Sequence, residues 1–415
     1  MFILRNLRRN SSVLRRDWRP VCGYSTNAPL RIETSCDDTG AAVMQGSMIL
    51  GEAIHTQRES ITFGGILPPV AQAMHRQHIE RVVTESLNKA NVKIEDLDAI
   101  AVTNRPGLKM SLTIGLRYAR HLSRKYQKPI IPIHHMQAHA LTARITEMVE
   151  FPFLSLLISG GHSLLAFVRD IDEFLLLGES LDDAPGEAFD KIARHLKLYN
   201  LPQFENLSGG QSIEKAARMS TEVTDKYKFP LMLTRYRDCQ FSYAGLKNVA
   251  KRHIITQQTT LKLDIDQVVP DYPDFCANFL GAITRHICNR TQRAMEFCER
   301  KSFFKDGQRK KLVVSGGVAC NDFIFNALSE MSVLMDYSTV RPTKKLCTDN
   351  GIMIAWNGVE KFVQMNEIIA PESVDDIEIF GSCAIGQSLI KEVKDANISC
   401  TWVKTPSLKP YCRSS

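Results

Sequence analysis

No window of this 415-residue chain approaches 18 uninterrupted apolar residues, so the sequence offers no transmembrane helix. It has no Cys-x-x-Cys pair either. Its eleven cysteines (Cys22, Cys36, Cys239, Cys276, Cys288, Cys298, Cys320, Cys347, Cys383, Cys400 and Cys412) follow no regular spacing. An odd, scattered set in a chain this long argues against a disulfide framework and fits a reducing compartment. Net positive charge is scarce outside the first 28 residues. That leader holds Arg5, Arg8, Arg9, Arg15, Arg16 and Arg19 against the single acid Asp17, and no lysine. It therefore carries five of the seven net positive charges and leaves the remaining body near +2. A globally basic nucleic-acid binder is not indicated, and any RNA contact has to come from local patches.

The leader also lacks the long apolar stretch of a secretory signal. Arginine-rich and acid-poor, with Ser11, Ser12 and Ser25 interspersed, it has the composition of a mitochondrial transit peptide, which places the mature protein in the matrix. The alternative is a disordered basic tail that binds RNA. Beyond it, 44% hydrophobic and 23% charged residues are those of a soluble globular protein, long enough for two domains or one α/β body in two lobes.

The most telling segment is Ile131-Pro-Ile-His-His-Met-Gln-Ala-His-Ala-Leu141. Lys128 to Ile133 reads as a short buried strand, and the residues after it, through Ala143 and Ile145 to Met148, as a helix. His135 and His139 then share one helix face, about one turn (~6 Å of rise) apart. That is what a divalent metal needs from two imidazoles, although packed or solvated histidines show the same spacing. A zinc protease's H-E-x-x-H would place glutamate where Met136 stands, so the general base of that motif is missing.

Elsewhere, Leu30 to Met44 reads as a hairpin whose turn is loaded with Ser35, Asp37, Asp38 and Thr39, suited to a phosphate or metal, or simply solvated. Gly64-Gly-Ile-Leu-Pro-Pro69 is a rigid turn into a helix from Val70 to Asn88, whose His75 and His78 read as surface or substrate-facing. Asp96 to Thr103 reads as a buried strand and Arg105-Pro-Gly-Leu108 as the turn into the next helix, an alternation that implies a parallel sheet covered by helices. Two apolar strands end in Ser159-Gly-Gly161 and Ser315-Gly-Gly317, and Gly209-Gly210 adds a third glycine pair. Tight turns use glycine anyway, but together these loops favour a nucleotide-type site where backbone N–H groups approach an anion. Asp182 to Arg194 is either a capped, solvated helix start or the place where Asp190 and Lys191 reach a ribose or amino-acid group. Phe241 to Lys247 suits RNA or a lobe surface equally. Asp349 precedes an apolar helix and is by default an N-cap, or a third, oxygen ligand to the histidines.

Seven motifs occur in order: Ile32-Glu-Thr-Ser-Cys-Asp-Asp-Thr39, His134-His-Met-x-x-His139, Ile158-Ser-Gly-Gly-His162, Asp182-Asp-Ala-x-Gly-Glu-Ala-Phe-Asp-Lys191, Phe241-Ser-x-x-Gly-Leu-Lys247, Ser315-Gly-Gly-Val318 and Cys347-Thr-Asp-Asn-Gly351. In these the chain, from about Leu30 to Val359, resembles the tRNA N6-adenosine threonylcarbamoyltransferases, once described as O-sialoglycoprotein endopeptidases, and specifically their mitochondrial branch. The resemblance implies a two-lobed actin/Hsp70-like ATPase fold of duplicated RNase H-like subdomains. On it the expected organisation is a leader (1–28), a first lobe with the metal-binding helix (29–150), a second lobe with the nucleotide loops (151–345) and a C-terminal segment returning to the first lobe (346–415).

It further implies one divalent ion per subunit (zinc, iron or magnesium) held by His135, His139 and Asp349. Leu157, Ile158, Ser159, Gly160, Gly161, Asp190, Gly210, Glu214 and Asn321 would hold the adenylate and threonyl parts of threonylcarbamoyl-AMP. The family transfers the threonylcarbamoyl group to N6 of adenosine 37 in tRNAs reading codons that begin with adenine; a homodimer in the matrix, without a membrane partner, is expected. No residue is assigned as general base. Arg31, Arg105, Gln137 and Pro69 depart from the usual glycine, glycine, glutamate and glutamate, and the spacer before Gly209 is longer than usual. The competing readings are a non-catalytic nucleotide-binding scaffold, a sugar or acetate kinase of the same fold, and a metalloprotease.

Overall fold

The computed structural model describes residues 29–57, 66–221, 226–264, 266–365 and 367–408; the leader, the Gly64-Gly65 turn, Cys22 and Cys412 lie outside the described residues. Strands β1 (Leu30–Glu33), β2 (Asp38–Gln45) and β3 (Met48–Thr56) form an antiparallel meander. Strands β4 (Ile100–Arg105) and β5 (Ile130–His134) add in parallel to β1, giving the order β3-β2-β1-β4-β5.

The second half repeats the plan. An antiparallel meander of β6 (Phe153–Ile158), β7 (Ser163–Val168) and β8 (Phe174–Glu179) is followed by parallel β9 (Lys310–Ser315) and β10 (Tyr337–Val340), in the order β10-β9-β6-β7-β8. Three strands up and down, then two in parallel, twice over: the chain is a duplicated RNase H-like α/β protein of the actin/Hsp70 type. The parallel pairing expected from the βαβ alternation is present in β1, β4 and β5, and the hairpin expected over Leu30 to Met44 adds antiparallel β2, so the sheet is mixed. Short turns, such as Gly46-Ser47 between β2 and β3 with Gly46 at φ +56°, fold the chain straight back before a helix intervenes.

In the first lobe, helices α1 (Pro68–Ala90) and α2 (Lys109–Tyr126) cover one sheet face, burying Ile79, Val82, Leu116 and Ala119 against Ile32, Val43 and Val102. Helix α3 (His135–Leu141) starts directly from β5. It stops sooner than the sequence suggests, continuing only as a 3-10 turn over Thr142–Ile145 and leaving Met148 exposed. The Thr142 hydroxyl donates back to the Ala138 carbonyl at 2.6 Å as the helix tightens.

The second lobe carries α4 (Pro185–Leu196), α5 (Gly209–Arg218), α6 (Ala244–Leu261), the 29-residue α7 (Tyr272–Arg300) and α8 (Asp322–Leu334). Here the sequence misleads at Phe241 to Lys247. Phe241, Tyr243 and Leu246 are fully buried in the second-lobe core rather than offered to RNA, and Lys247 pairs with Asp183. Aromatic and basic residues interleave here because the aromatics face inward while the lysine closes an ion pair.

After a short turn, α9 (Lys344–Cys347), helix α10 (Gly351–Val363) returns to the uncovered face of the first sheet. Its glycines let it lie close: a Cβ on Gly351 would sit 2.7 Å from Ala41 C, and one on Gly358 2.8 Å from Ala101 Cβ. Ile369 then bridges to Ile130. Farther on, β11 (Gln387–Ser388) pairs with β8, and the Thr401 carbonyl accepts from Gln292, so the last described residues lie on the second lobe. Between the lobes, Met136, Ala140 and Leu141 of α3 pack with Phe153, Leu157, Val313 and Trp356. This apolar junction fixes α3 where the two halves meet.

Candidate metal centre and ligand cleft

His135 and His139 are both buried on α3, their rings 4.7 Å apart and edge-on at 87°. Asp349 comes to them from the other end of the chain, its Oδ1 2.9 Å from His139 Nε2 and 3.5 Å from His135 Nε2. Ligand atoms of the three lie within 4.8 Å of one another. The expectation that Asp349 caps the following helix by default does not hold. Asn350 is the cap of α10, accepting the Met353 N–H at 2.8 Å, which leaves the Asp349 carboxylate free to face the histidines.

Behind the histidines is Glu33, a residue the sequence reading did not single out. Fully buried at the end of β1, its carboxylate accepts from the Thr103 hydroxyl and the Ser35 N–H, each at 2.5 Å. His135 Nδ1 lies 3.0 Å from Ser35 Oγ and 3.4 Å from Glu33 Oε2. Charge balance sets the protonation. Burial alone would lower the His135 pKa, but the Asp349 and Glu33 carboxylates outweigh it and push it up to about 10. Burial would likewise raise the two acids; His135 overrides it for both, holding Asp349 well below the usual carboxylate range with help from His139, and Glu33 below its ordinary value.

The set fits a divalent cation on chemical grounds. It offers two buried imidazole nitrogens and one half-buried carboxylate oxygen, the donor mix of zinc or iron rather than of an all-oxygen magnesium site. His162, at the tip of the β6–β7 turn, feels the same cluster. Although the side chain is exposed, the desolvation of the cleft around it, and then the charge of His135 and His139, lower its pKa. Its place in the Ser-Gly-Gly-His run was the only sequence signal for it.

Turning to the loops, Leu157 and Ile158 bury their side chains in two different cores, so only their backbone is available at the cleft. Ser159 Oγ accepts from the Gly161 and His162 N–H groups at 3.3 and 3.1 Å and holds the turn. This first glycine loop closes a hairpin instead of leading into a helix, unlike its partner after β9. A Cβ on Gly160 or Gly161 would meet nothing within 4 Å, and neither has a positive φ. The packing of the protein itself does not require glycine at either position. Gly210 is nearly as open, while Gly316 (φ +97°) backs onto the Ile158 carbonyl at 2.3 Å and has to be glycine.

Asp190 on α4 accepts the Gly209 and Gly210 N–H groups at the start of α5; burial nevertheless raises its pKa. Lys191 pairs with Glu187 at 2.5 Å and Asp183 at 3.5 Å. Asp182 reaches away to the start of α6, accepting from Ser242 Oγ and Tyr243 N at 2.6 and 2.8 Å. The expected capping of α4 by its own acidic run is therefore corrected: no side chain caps it. Glu214 ties α5 to α8, accepting from Asp322 N at 2.9 Å and Arg218 at 2.7 Å. Asn321 caps α8 through its Oδ1 at 3.1 Å, while its buried Nδ2 has no partner among the described residues, a donor free for a ligand.

His75, expected at the surface or facing substrate, is buried. Its Nε2 donates to the Cys36 carbonyl at 3.0 Å and its Nδ1 accepts from the Thr39 hydroxyl at 2.7 Å, so it pins the β1–β2 turn from α1. His78, partly exposed, lies against His55, the rings tilted at 38° with centres 3.7 Å apart. Asp38, at the same turn, is pushed up to about 7 by burial. Of the unusual residues, Arg105 pairs with Glu367 at 3.2 Å, Gln137 donates to the Ile385 carbonyl at 3.2 Å, and Pro69 sits in the first turn of α1. Arg31 is fully buried with none of its guanidinium nitrogens partnered among the described residues.

A duplicated RNase H-like body with glycine loops and a His-His-Asp cluster at the lobe junction defines a protein of the actin/Hsp70-like ATPase class with a metal-type centre. Comparison narrows this. The family model described as "TsaD: tRNA N6-adenosine threonylcarbamoyltransferase" matches residues 48–356, and the chain belongs to that family. It is 44% identical over 381 residues to the "Probable tRNA N6-adenosine threonylcarbamoyltransferase, mitochondrial" of Drosophila melanogaster, covering 90% of this chain and 93% of that one. The mitochondrial enzyme of Xenopus tropicalis is 47% identical over 334 residues, 80% of this chain and 82% of its own. That of Homo sapiens is 43% identical over 382 residues, 92% and 90%.

Proposed function

We propose that this enzyme, a mitochondrial tRNA N6-adenosine threonylcarbamoyltransferase, takes threonylcarbamoyl-AMP as donor and adenosine 37 of tRNAs reading codons that begin with adenine as acceptor. One observation carries the reading: Asn350 takes the helix cap and frees Asp349 to complete a buried cluster with His135 and His139.

The chemistry is an acyl transfer. The adenine N6 amine attacks the carbamoyl carbonyl, a C–N bond forms, the bond from carbonyl carbon to phosphate oxygen breaks, and AMP leaves with the proton lost from N6. A divalent ion bound by His135, His139 and Asp349 would supply Lewis acidity toward the carbonyl oxygen. The chain's own residues do the rest. Gly160, Gly161 and Gly210 let backbone approach the adenylate, and their N–H groups oppose charge on the departing phosphate. The Asn321 amide donates to the bound donor. The amine is a weak nucleophile, so the fixed lobe junction contributes by orientation. Glu214 acts by holding α5 and α8 in register. A homodimer, with one ion per subunit, completes the proposal.

Nucleoside mass analysis with AMP quantification tests it. Threonylcarbamoyl-AMP and unmodified tRNA should yield one AMP per modified adenosine. Phosphorylation of a small molecule from ATP, without modified nucleoside, would identify a kinase instead. Sedimentation of residues 29–415 tests the dimer.

A further inference from the structure

We infer that Glu33 is a positioning residue for the metal centre, the outer carboxylate that fixes the tautomer and aim of His135. The inference rests on the reading of His135 as an ion ligand. Glu33 is held from two sides, by the Thr103 hydroxyl and the Ser35 N–H, each at 2.5 Å, and its remaining approach is to His135 Nδ1 at 3.4 Å. Ser35 Oγ stands 3.0 Å from the same nitrogen. A proton on Nδ1 therefore has two acceptors, and the lone pair is left on Nε2, the nitrogen that faces Asp349 and His139.

Charge supports the same assignment. When an ion binds and His135 becomes a neutral ligand, Glu33 and Asp349 together supply two negative charges for one dication. A turn cap alone would explain the Ser35 bond but not the second bond from Thr103, on the neighbouring strand β4, nor the approach to His135.

Cobalt titration of metal-stripped protein, read by its absorption bands, tests this with nitrogen NMR of His135 in the zinc-loaded form. Wild type should bind one cobalt and show the His135 proton on Nδ1. Glu33→Gln should weaken cobalt binding roughly 10–100-fold, with a mixed tautomer and an unchanged circular dichroism spectrum. Thr103→Val, which removes one support of the carboxylate, should weaken it less and in the same direction, and decides the matter should Glu33→Gln fail to fold. Cobalt affinity and tautomer equal to wild type in the folded variants overturn the role of Glu33. No cobalt binding by wild type overturns the ion reading itself, a different failure.

Discussion

Asp349 and His139, 210 residues apart in the chain, meet at 2.9 Å because the residue beside Asp349 does a different job. Asn350 caps α10 and Asp349 turns to the histidines. The two neighbours should separate cleanly on mutation. Asn350→Ala should cost about 1 kcal/mol of stability, the usual loss of an N-cap. Asp349→Asn should leave folding nearly intact and weaken cobalt or zinc binding by more than about 100-fold, beyond what loss of an outer partner does. Denaturant unfolding and metal titration of both variants check this, and equal metal affinity in Asp349→Asn contradicts it.

Glycine substitutions should divide the same way. Gly161→Ala places a methyl group in open space, so the melting temperature should hold while the apparent affinity for the donor falls roughly 10–100-fold through misplacement. Gly316→Ala forces a side chain onto the Ile158 carbonyl at φ +97° and should destabilise by about 1–3 kcal/mol. Thermal melts alongside donor titrations distinguish them.

Arg31 lies fully buried against Gly358 of α10, with no partner for its guanidinium among the described residues, and burial lowers its pKa well below normal. Replacing such a group by an apolar one of similar length removes an uncompensated desolvation. Arg31→Met should raise stability by roughly 1–4 kcal/mol. A lower unfolding midpoint for this variant would show that the guanidinium is compensated after all.

His286 gives the fold an acid sensitivity away from the metal centre. Its Nε2 accepts the Ser242 N–H at 3.1 Å, and burial, with Arg290 nearby, brings its pKa down to about 3. The folded value lies below the unfolded one near 6.5, so the unfolded chain binds the extra proton between these limits. The associated stability is fully present above pH 6.5 and is lost progressively as pH falls toward 3. Between pH 7.5 and 5.5 this single group should cost about 1.4 kcal/mol. His286→Gln, which keeps an acceptor for Ser242, should unfold with a correspondingly smaller acid dependence; identical pH slopes would refute it.

Much of this site was readable before any coordinates. The i, i+4 spacing of His135 and His139 survives translation from sequence to helix, because α3 needs only two turns to express it. Asp349 was ambiguous, since sequence places Asp and Asn side by side at a helix start and only the backbone decides which one caps. Glu33 lies in the Ile32-to-Thr39 motif, but nothing in the sequence gives it a role: one acid in a short strand carries no periodic signal, and its meaning comes from Thr103 and His135, both more than 60 residues away. Phe241 and Tyr243 were misread because an aromatic-basic run looks the same whether the rings face RNA or a core; Asp182 and His286 turn them inward. The antiparallel meanders were half legible, since β1 and β2 announce a hairpin while β3 carries no turn signal stronger than Gly46.

The central claim is that a metal centre at the lobe junction carries threonylcarbamoyl transfer. Its most direct test is nucleoside mass analysis after incubating residues 29–415, zinc- or iron-loaded, with threonylcarbamoyl-AMP and unmodified tRNA, beside His139→Ala. The account predicts modified adenosine 37 with wild type, abolished by metal removal, restored on readdition, and absent with the folded variant. Full modification by the metal-stripped enzyme or by His139→Ala would contradict it.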